Sequence, residues 1–385
     1  MNFMKRLSKN IVSIISVMLA VSCIFAGGKK DKTSSKKQSE DSSVNVEIPA
    51  DKSDLIQDVS EQAESSEPIS ENTEPASVKN AFRTGAVSGI CAMPFVYFFD
   101  GTYVADGSPV TLESDSVENI CAKLQEGQLE AGFIPADRAV ELLKKSDDSL
   151  KLLAVCSTLN HSVLTSLPEL QSFEDFDFEA FKGKKIFITE KDSAADYAFR
   201  YILKAHGLEE GEGPDFVEID YTVSNEHAVQ AMLSGSVEII IIGEPYATAV
   251  MMKNQGAKKI FDLSAEYLKV AQESGFSQAL PSVCVVVNDD YAKKYPQRIT
   301  EFEAAVSECV AKTVKNPQKA GVLYQKHLHS FMAPVIGKAI ASSNFVFKPS
   351  SQIRQEFEVL TKLMSLFTSE ESISVLSDEA FYSPE

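Results

Sequence analysis

The sequence predicts an α/β fold of two similar lobes, and three observations predict it. The first is an internal duplication: Leu124–Cys156 and Met232–Ser264 align without a gap once Gly127 is set on Gly235. That register also matches Glu130 with Glu238, Ile134 with Ile242, Ala139 with Ala247, Lys145 with Lys253 and Lys151 with Lys259. The second is that in each copy a helix-ending glycine precedes a short apolar run, Ala131–Ile134 and Ile239–Ile242, of the length and character of a buried parallel strand. The third is a proline soon after each run, Pro135 directly and Pro245 after Gly243 and Glu244. Proline suits the loop or first helical turn after a strand, where its missing N–H is not needed. Ligands of open α/β sheets sit beyond the carboxyl ends of strands, so two such lobes would line one cleft with both sets of loops.

The chain starts with Lys5, Arg6 and Lys9, then an apolar run from Ile11 to Ser22 that is too short for a mature membrane span and ends in Ala20-Val21-Ser22-Cys23. This reads as an export signal over residues 1–22. Leu19–Cys23 resembles a bacterial lipobox, in which Cys23 becomes the lipid-bearing first residue; Ala20 stands where leucine is usual. Residues 23–80 read as a disordered tether. They hold early lysines, Ser-rich sequence, and only acids among the charged residues from Asp54 to Glu74, with no aromatic after Phe25. Such a stretch buries too little apolar surface to offset ordering entropy. The net charge of −18 argues against nucleic acid as a partner. Of six cysteines, Cys23 belongs to the signal; Cys91, Cys121, Cys156, Cys284 and Cys309 are odd in number and match no zinc or CxxC spacing, so small buried residues are the expectation.

From there the elements follow in order. Phe82–Val87 is a first strand running into Ser88-Gly89, with an apolar helix at Phe95–Phe99. Val110–Glu113 is a second strand, and Ser114, Asp115 and Ser116 are candidate caps for the helix that follows. After the first repeat comes the strand Lys151–Val155 and a polar exit, Ser157–His161, where the chain crosses toward the second lobe. Strands at Ile186–Thr189, Val217–Val223 and Lys259–Leu263 and a helix at Ala194–His206, capped by Ser193, build that lobe. Val283–Val287 is the return crossing. Helices at Tyr291–Lys315, broken near Pro296, and at Pro317–Leu328, Ala333–Ser342 and Ser351–Phe367 form a tail behind the first lobe. The division is 81–162 for the first part of lobe 1, 163–280 for lobe 2, and 281–385 for the return and the C-terminal helices.

No catalytic motif is present. Gly85–Gly89 is not a GxSxG elbow, and Walker A, GxGxxG and HExxH patterns are missing. His327 and His329 point apart on a helix and make a poor metal pair. Asp175, Asp177 and Glu179 have the acid density of a calcium loop without its glycine, and read as a solvated turn. Glu130 and Glu238 sit at the base of their strands, far from the carboxyl ends, which makes them structural. No cofactor and no metal is expected.

Phe176–Glu190 (FDFEAFKGKKIFITE) resembles a segment of periplasmic solute-binding proteins of the nitrate, sulfonate, taurine and bicarbonate type. The Gly127 and Gly235 units, Glu244-Pro245-Tyr246 and Val314–Ala320 (VKNPQKA) are similar to further segments of that family. Ser343–Val346 with Asp378–Tyr382 (DEAFY) resembles the close of a lipoprotein subgroup. Glu130 and Glu238 stand where the family has aspartate. The resemblance implies a two-lobed type II periplasmic binding fold with a helical C-terminal extension. It also implies a lipid-anchored monomer on the extracytoplasmic side of a bacterial envelope, delivering a small solute to an ABC permease and its ATPase subunit. Related proteins bind pyrimidine precursors of thiamine, so oxyanion, sulfonate and pyrimidine-like solutes are all open.

The residues expected on the cleft are Ser88, Gly89, Ser114, Pro135, Ala136, Ser157 and Asn160 from the first lobe and Asp192, Ser193, Glu244 and Tyr246 from the second. Hydroxyls and helix-start N–H groups would hold oxygens, and Tyr246 would offer a ring face or a hydroxyl. Two rival functions share the fold: an enzyme like those of the menaquinone pathway, against which the export signal counts, and a surface sensor or adhesin without a transport role.

Overall fold

The computed structural model describes residues 81–170, 176–272, 274–368 and 374–384, all within one unit, Ala50–Glu385. The signal, Cys23, the tether and Asp175 lie outside the described residues.

The chain opens with β1 (Phe82–Val87). Its apolar continuation, Met93–Asp100, winds as a 3-10 turn rather than the expected α-helix, with Pro94 in its first turn and Gly101 ending it in the left-handed region at φ 64°. A hairpin of β2 (Val104–Ala105) and β3 (Ser108–Asp115) follows, joined by Asp106-Gly107, both at positive φ (49° and 71°). That pair of left-handed residues matches strand twist across a two-residue loop. Next come α1 (Val117–Gln125), capped where Ser116 Oγ accepts the Asn119 N–H, then β4 (Ala131–Pro135), α2 (Ala136–Lys145) and β5 (Leu150–Thr158).

The chain then builds β6 (Ser162–Thr165), β7 (Lys185–Ile188), α3 (Ala194–Ala205), β8 (Glu218–Asp220) and α4 (Asn225–Ser234). Asp177 caps the short turn Phe178–Phe181 ahead of β7. After α4, Gly235 closes the helix at φ 73°, and β9 (Ile239–Ile242), α5 (Tyr246–Lys253), β10 (Lys258–Asp262) and α6 (Leu263–Ala271) complete the second lobe. β8 is shorter than the expected Val217–Val223, and α6 was not foreseen; Asp262 Oδ1 starts it by accepting the Ala265 N–H. The return strand is β11 (Pro281–Asn288). The tail holds α7 (Asp289–Lys294), α8 (Pro296–Lys315), α9 (Pro317–Leu328), α10 (Ala333–Ser342), an unexpected strand β12 (Phe345–Pro349) and α11 (Arg354–Phe367). Pro296 divides α7 from α8 because it has no N–H to continue the ladder.

Two sheets result, in the orders β12-β5-β11-β4-β1-β3-β2 and β10-β6-β9-β7-β8. The twin strands β4 and β9 hold matching places. Each lies between a parallel partner, β1 or β7, and an antiparallel one, β11 or β6. The runs expected as parallel strands are therefore parallel on one side only. The antiparallel neighbour in each sheet is the strand that has just arrived from the other lobe.

The first lobe is built on an aromatic cluster in which Phe133 stacks on Phe95 at 3.7 Å between ring centres and Phe82 on Phe302 at 4.4 Å. The tail does not confine itself to this lobe. α8 and α9 pack on the Met93–Asp100 turn, but α10 also reaches α5, and α11 packs on α3. There the Phe367 ring lies beneath the Arg200 guanidinium at 4.8 Å. At the α9–α10 crossing a Cβ on Gly321 would collide with the Ala333 carbonyl oxygen and come within 3.0 Å of the Gly337 nitrogen. Gly321→Ala should therefore destabilise the protein by about 1–3 kcal/mol despite alanine's better helix propensity. Urea denaturation measures this, and an unchanged midpoint would show that the two helices separate without cost.

Candidate functional site

The chain crosses between the sheets twice, at Thr158–Ser162 and after α6, and the two crossings are tied together. Leu159 N–H donates to Leu280 O at 2.9 Å, and Asn344 Nδ2 donates to Leu159 O at 2.8 Å. Beside them lies a cavity of about 530 Å³. It is walled by the segments beyond the carboxyl ends of β1, β4, β5, β7 and β9, together with the starts of α1 and α4, as strand-end geometry requires.

Of the residues expected on the cleft, Ser88, Gly89, Pro135, Ala136, Asn160, Ser193, Glu244 and Tyr246 line this cavity. Ser114, Ser157 and Asp192 do not border it. Ser114 stands behind Ser88, its Oγ 3.1 Å from the Ser88 Oγ. Ser157 is fully buried within β5, where its hydroxyl donates to the Thr158 carbonyl. Asp192 forms the turn into α3 at φ 58°, its N–H donating to Asp196 Oδ2. The walls also contain Asp137, Arg138, His161, Thr189, Glu190 and Asn225, which sequence reasoning left out. Their signal was present: Asp137 and Arg138 belong to the loop after the first repeat strand, His161 to the polar exit, and Asn225 to the start of the helix α4 that leads into the second repeat.

Asp137 joins the lobes. Its Oδ1 accepts the Arg138 N–H at 2.7 Å at the start of α2, and its Oδ2 accepts the Ala194 N–H at 3.0 Å at the start of α3. Burial pushes this carboxyl above its ordinary pKa, against the pull of Arg138 and the two N–H groups. Glu244 is similarly raised by burial and accepts the Thr248 N–H at 3.0 Å within the first turns of α5. Glu190 behaves in the opposite way. Withdrawal from bulk water disfavours its charge, but His161, Asn225 and Arg138 outweigh this and hold its pKa below the ordinary value. Asn225 Nδ2 donates to Glu190 Oε1 at 2.7 Å, and His161 Nε2 lies 3.5 Å from Glu190 Oε2. His161 itself fits because Gly243 has no side chain; a Cβ there would come within 3.0 Å of the imidazole.

Several polar atoms on the wall have no protein partner: Oδ1 and Nδ2 of Asn160, Oγ1 of Thr189 and Oδ1 of Asn225. Asn160 is only 3% exposed, so leaving both ends of its amide unpaired is costly unless something in the cavity meets them. Cys91 also touches the cavity, but burial raises its thiol well above the ordinary value and disfavours the thiolate that nucleophilic chemistry needs. Among the described residues no group of three or more His, Cys, Asp or Glu could hold a metal ion.

The raised carboxyls give a pH signature. Asp137, Asp196 and Glu244 bind protons more tightly folded than unfolded, so their contribution to stability grows as pH falls from neutral toward the ordinary carboxylate range and is lost as pH rises through their folded pKa values. Below that range Glu190, held low, loses its contribution in turn. Melting temperature should thus rise as pH falls from 7 toward the ordinary carboxylate range, about 4–4.5, and fall below it. The rise should flatten in Asp137→Asn/Glu244→Gln. A wild-type curve falling steadily from pH 7 would contradict this.

Comparison with known proteins agrees with this geometry. Residues 113–320, more than half of the chain, match the model of the NMT1/THI5-like family. No curated protein matches. An ABC transporter protein from Parabacteroides distasonis superposes with a TM-score of 0.65 at 15% identity, over 80% of this chain and 100% of its own. The periplasmic aliphatic sulphonate-binding protein SsuA of Escherichia coli gives 0.60 at 17% identity, over 80% and 93%. The periplasmic nitrate-binding protein NrtA of Synechocystis gives 0.55 at 15%, over 76% and 83%. The chain therefore belongs to the NMT1/THI5-like family and has the two-lobed type II periplasmic binding fold, with a helical C-terminal extension.

Proposed function

We propose that the protein is an extracytoplasmic, lipid-anchored receptor that captures one small solute between its lobes and delivers it to an ABC permease driven by an ATPase. The observation that carries this reading is the cavity itself. It lies between two sheets joined by tied crossings, and it is walled by strand-end loops of both lobes with unpartnered polar atoms on its surface. A hinge at such crossings lets lobes close over a ligand that touches both sides. The neighbours that bind sulphonate and nitrate support a transport role, and oxyanion, sulfonate and pyrimidine-like solutes supply the first candidates. Binding rather than catalysis fits the wall, where Cys91 is held as a thiol. The anchor is Cys23, after removal of residues 1–22.

Native mass spectrometry of the chain purified from its own cells tests the receptor role, with a bound small molecule in one-to-one ratio as the expected result. Labelling with a radioactive fatty acid tests the anchor. Label that persists in Cys23→Ala would sink the lipid assignment, and an uncleaved cytosolic chain would favour an enzyme instead.

A further inference from the structure

The walls of the cavity are poor ground for an anion. Six carboxyl groups border it: Asp115, Glu118, Asp137, Glu190, Glu226 and Glu244. The permanent cations on the wall are Arg138 and Lys191, and each already has a partner within the protein. Arg138 Nη1 reaches both oxygens of Glu141 at 3.2 Å, and Lys191 Nζ lies over the Tyr221 ring at 5.5 Å.

The helix starts tell the same story. A helix N-terminus attracts anions through its free N–H groups and positive dipole end. Here the starts of α1, α2, α3 and α5 are each met by a carboxylate of the chain itself, while the start of α4 has no side-chain cap. Asp115 accepts the Ser116 N–H at α1, Asp137 bridges the starts of α2 and α3, and Glu244 accepts an N–H of α5. An incoming oxyanion would find these positions filled and would face the field of the groups that fill them.

Beside the unpartnered donors Asn160 Nδ2 and Thr189 Oγ1, the cavity offers a group of acceptors. The buried, unpartnered Asn160 presents its Oδ1, Asn225 presents its free Oδ1 after giving its Nδ2 to Glu190, and Glu190 opens its carboxylate to the same space. Half-buried Tyr246 adds a ring whose face attracts positive charge. We infer that the solute is a small organic cation whose charged group carries N–H donors, such as an amine, guanidine or amidine, held by Glu190, Asn160 and Asn225 against Tyr246. This rests on the receptor reading and specifies its ligand class; it excludes nitrate and simple sulfonates.

The test uses the full chain in mild detergent, with benzamidine and agmatine as cationic probes and nitrate and ethanesulfonate as anionic ones, read by melting temperature and by calorimetry. At least one cation should raise the melting temperature, and Glu190→Gln should weaken its binding tenfold or more while the variant remains folded by circular dichroism. Asn160→Ala should weaken the same probe without changing the response to either anion. Stabilisation by an anion alone, no response to either cation, or a cation response that survives Glu190→Gln each overturns the inference. Native mass spectrometry separates its failure from that of the receptor reading. A co-purified neutral or anionic solute would leave the receptor standing and remove the cation, whereas a chain that carries nothing and answers no probe would lose both.

Discussion

Phe133→Ala is expected to destabilise the protein by about 3–5 kcal/mol, the cost of emptying a large aromatic site that cannot collapse. Phe133 is fully buried in β4, which is paired on both sides, by β1 and β11. Its ring stacks on Phe95 at 3.7 Å and lies within 6.2 Å of the Phe98 and Phe302 rings. Strands fix the backbone, and the 3-10 turn and α8 fix the facing rings, so neighbours have little freedom to fill the gap. Guanidinium denaturation measures the loss. A value under about 1 kcal/mol would mean that the cluster repacks, which close-packed interiors rarely allow.

Tyr246→Ala is expected to weaken binding of the solute recovered from the cleft by about 2 kcal/mol, roughly thirtyfold, in keeping with loss of an aromatic anchor. The Tyr246 ring is half-buried, stands edge-on to Phe331 at 5.0 Å, and borders the cavity, so its removal opens the wall with limited harm to the core. Ser193 provides the contrast. Its hydroxyl donates to the Glu190 carbonyl at 2.7 Å and accepts the Asp196 N–H at 3.2 Å. Ser193→Ala should therefore cost about 1 kcal/mol of stability as a lost helix cap, and weaken binding less than Tyr246→Ala. Titration calorimetry with parallel melting curves separates the two effects, and equal losses of affinity would refute the division of roles.

The duplication carried most of what could be read about the fold from sequence. Gly127 and Gly235 end helices, Ala131–Ile134 and Ile239–Ile242 form the cores of twin strands, and the tail helices follow their prolines. What escaped was local. Asp106-Gly107 is a turn signal, but the two-residue β2 before it is too short to announce a strand in sequence. β12 is a five-residue edge strand whose place depends on β5, a partner far away in sequence.

At the site, positions read from strand exits reached the cavity in most cases, because a strand's end fixes where its loop begins. Ser157 shows the limit: one residue earlier in β5 it is enclosed by the sheet. Glu190 and Asp137 were missed for a different reason. A carboxylate becomes informative only when the neighbour across the lobes is known, and Ala194 lies far from Asp137 in the chain.

The first crossing places the wall of the cavity on the pivot itself. Asn160 and His161 follow Leu159, whose N–H is tied to Leu280, and His161 O accepts the Leu263 N–H at 3.0 Å. Under the proposed receptor role, a solute gripping Asn160 would stiffen the backbone that has to rotate before the lobes part. Its residence time would then depend on the torsional freedom of three residues as much as on the width of the opening, and a permease that twisted this strap would trigger unloading without prying the lobes apart.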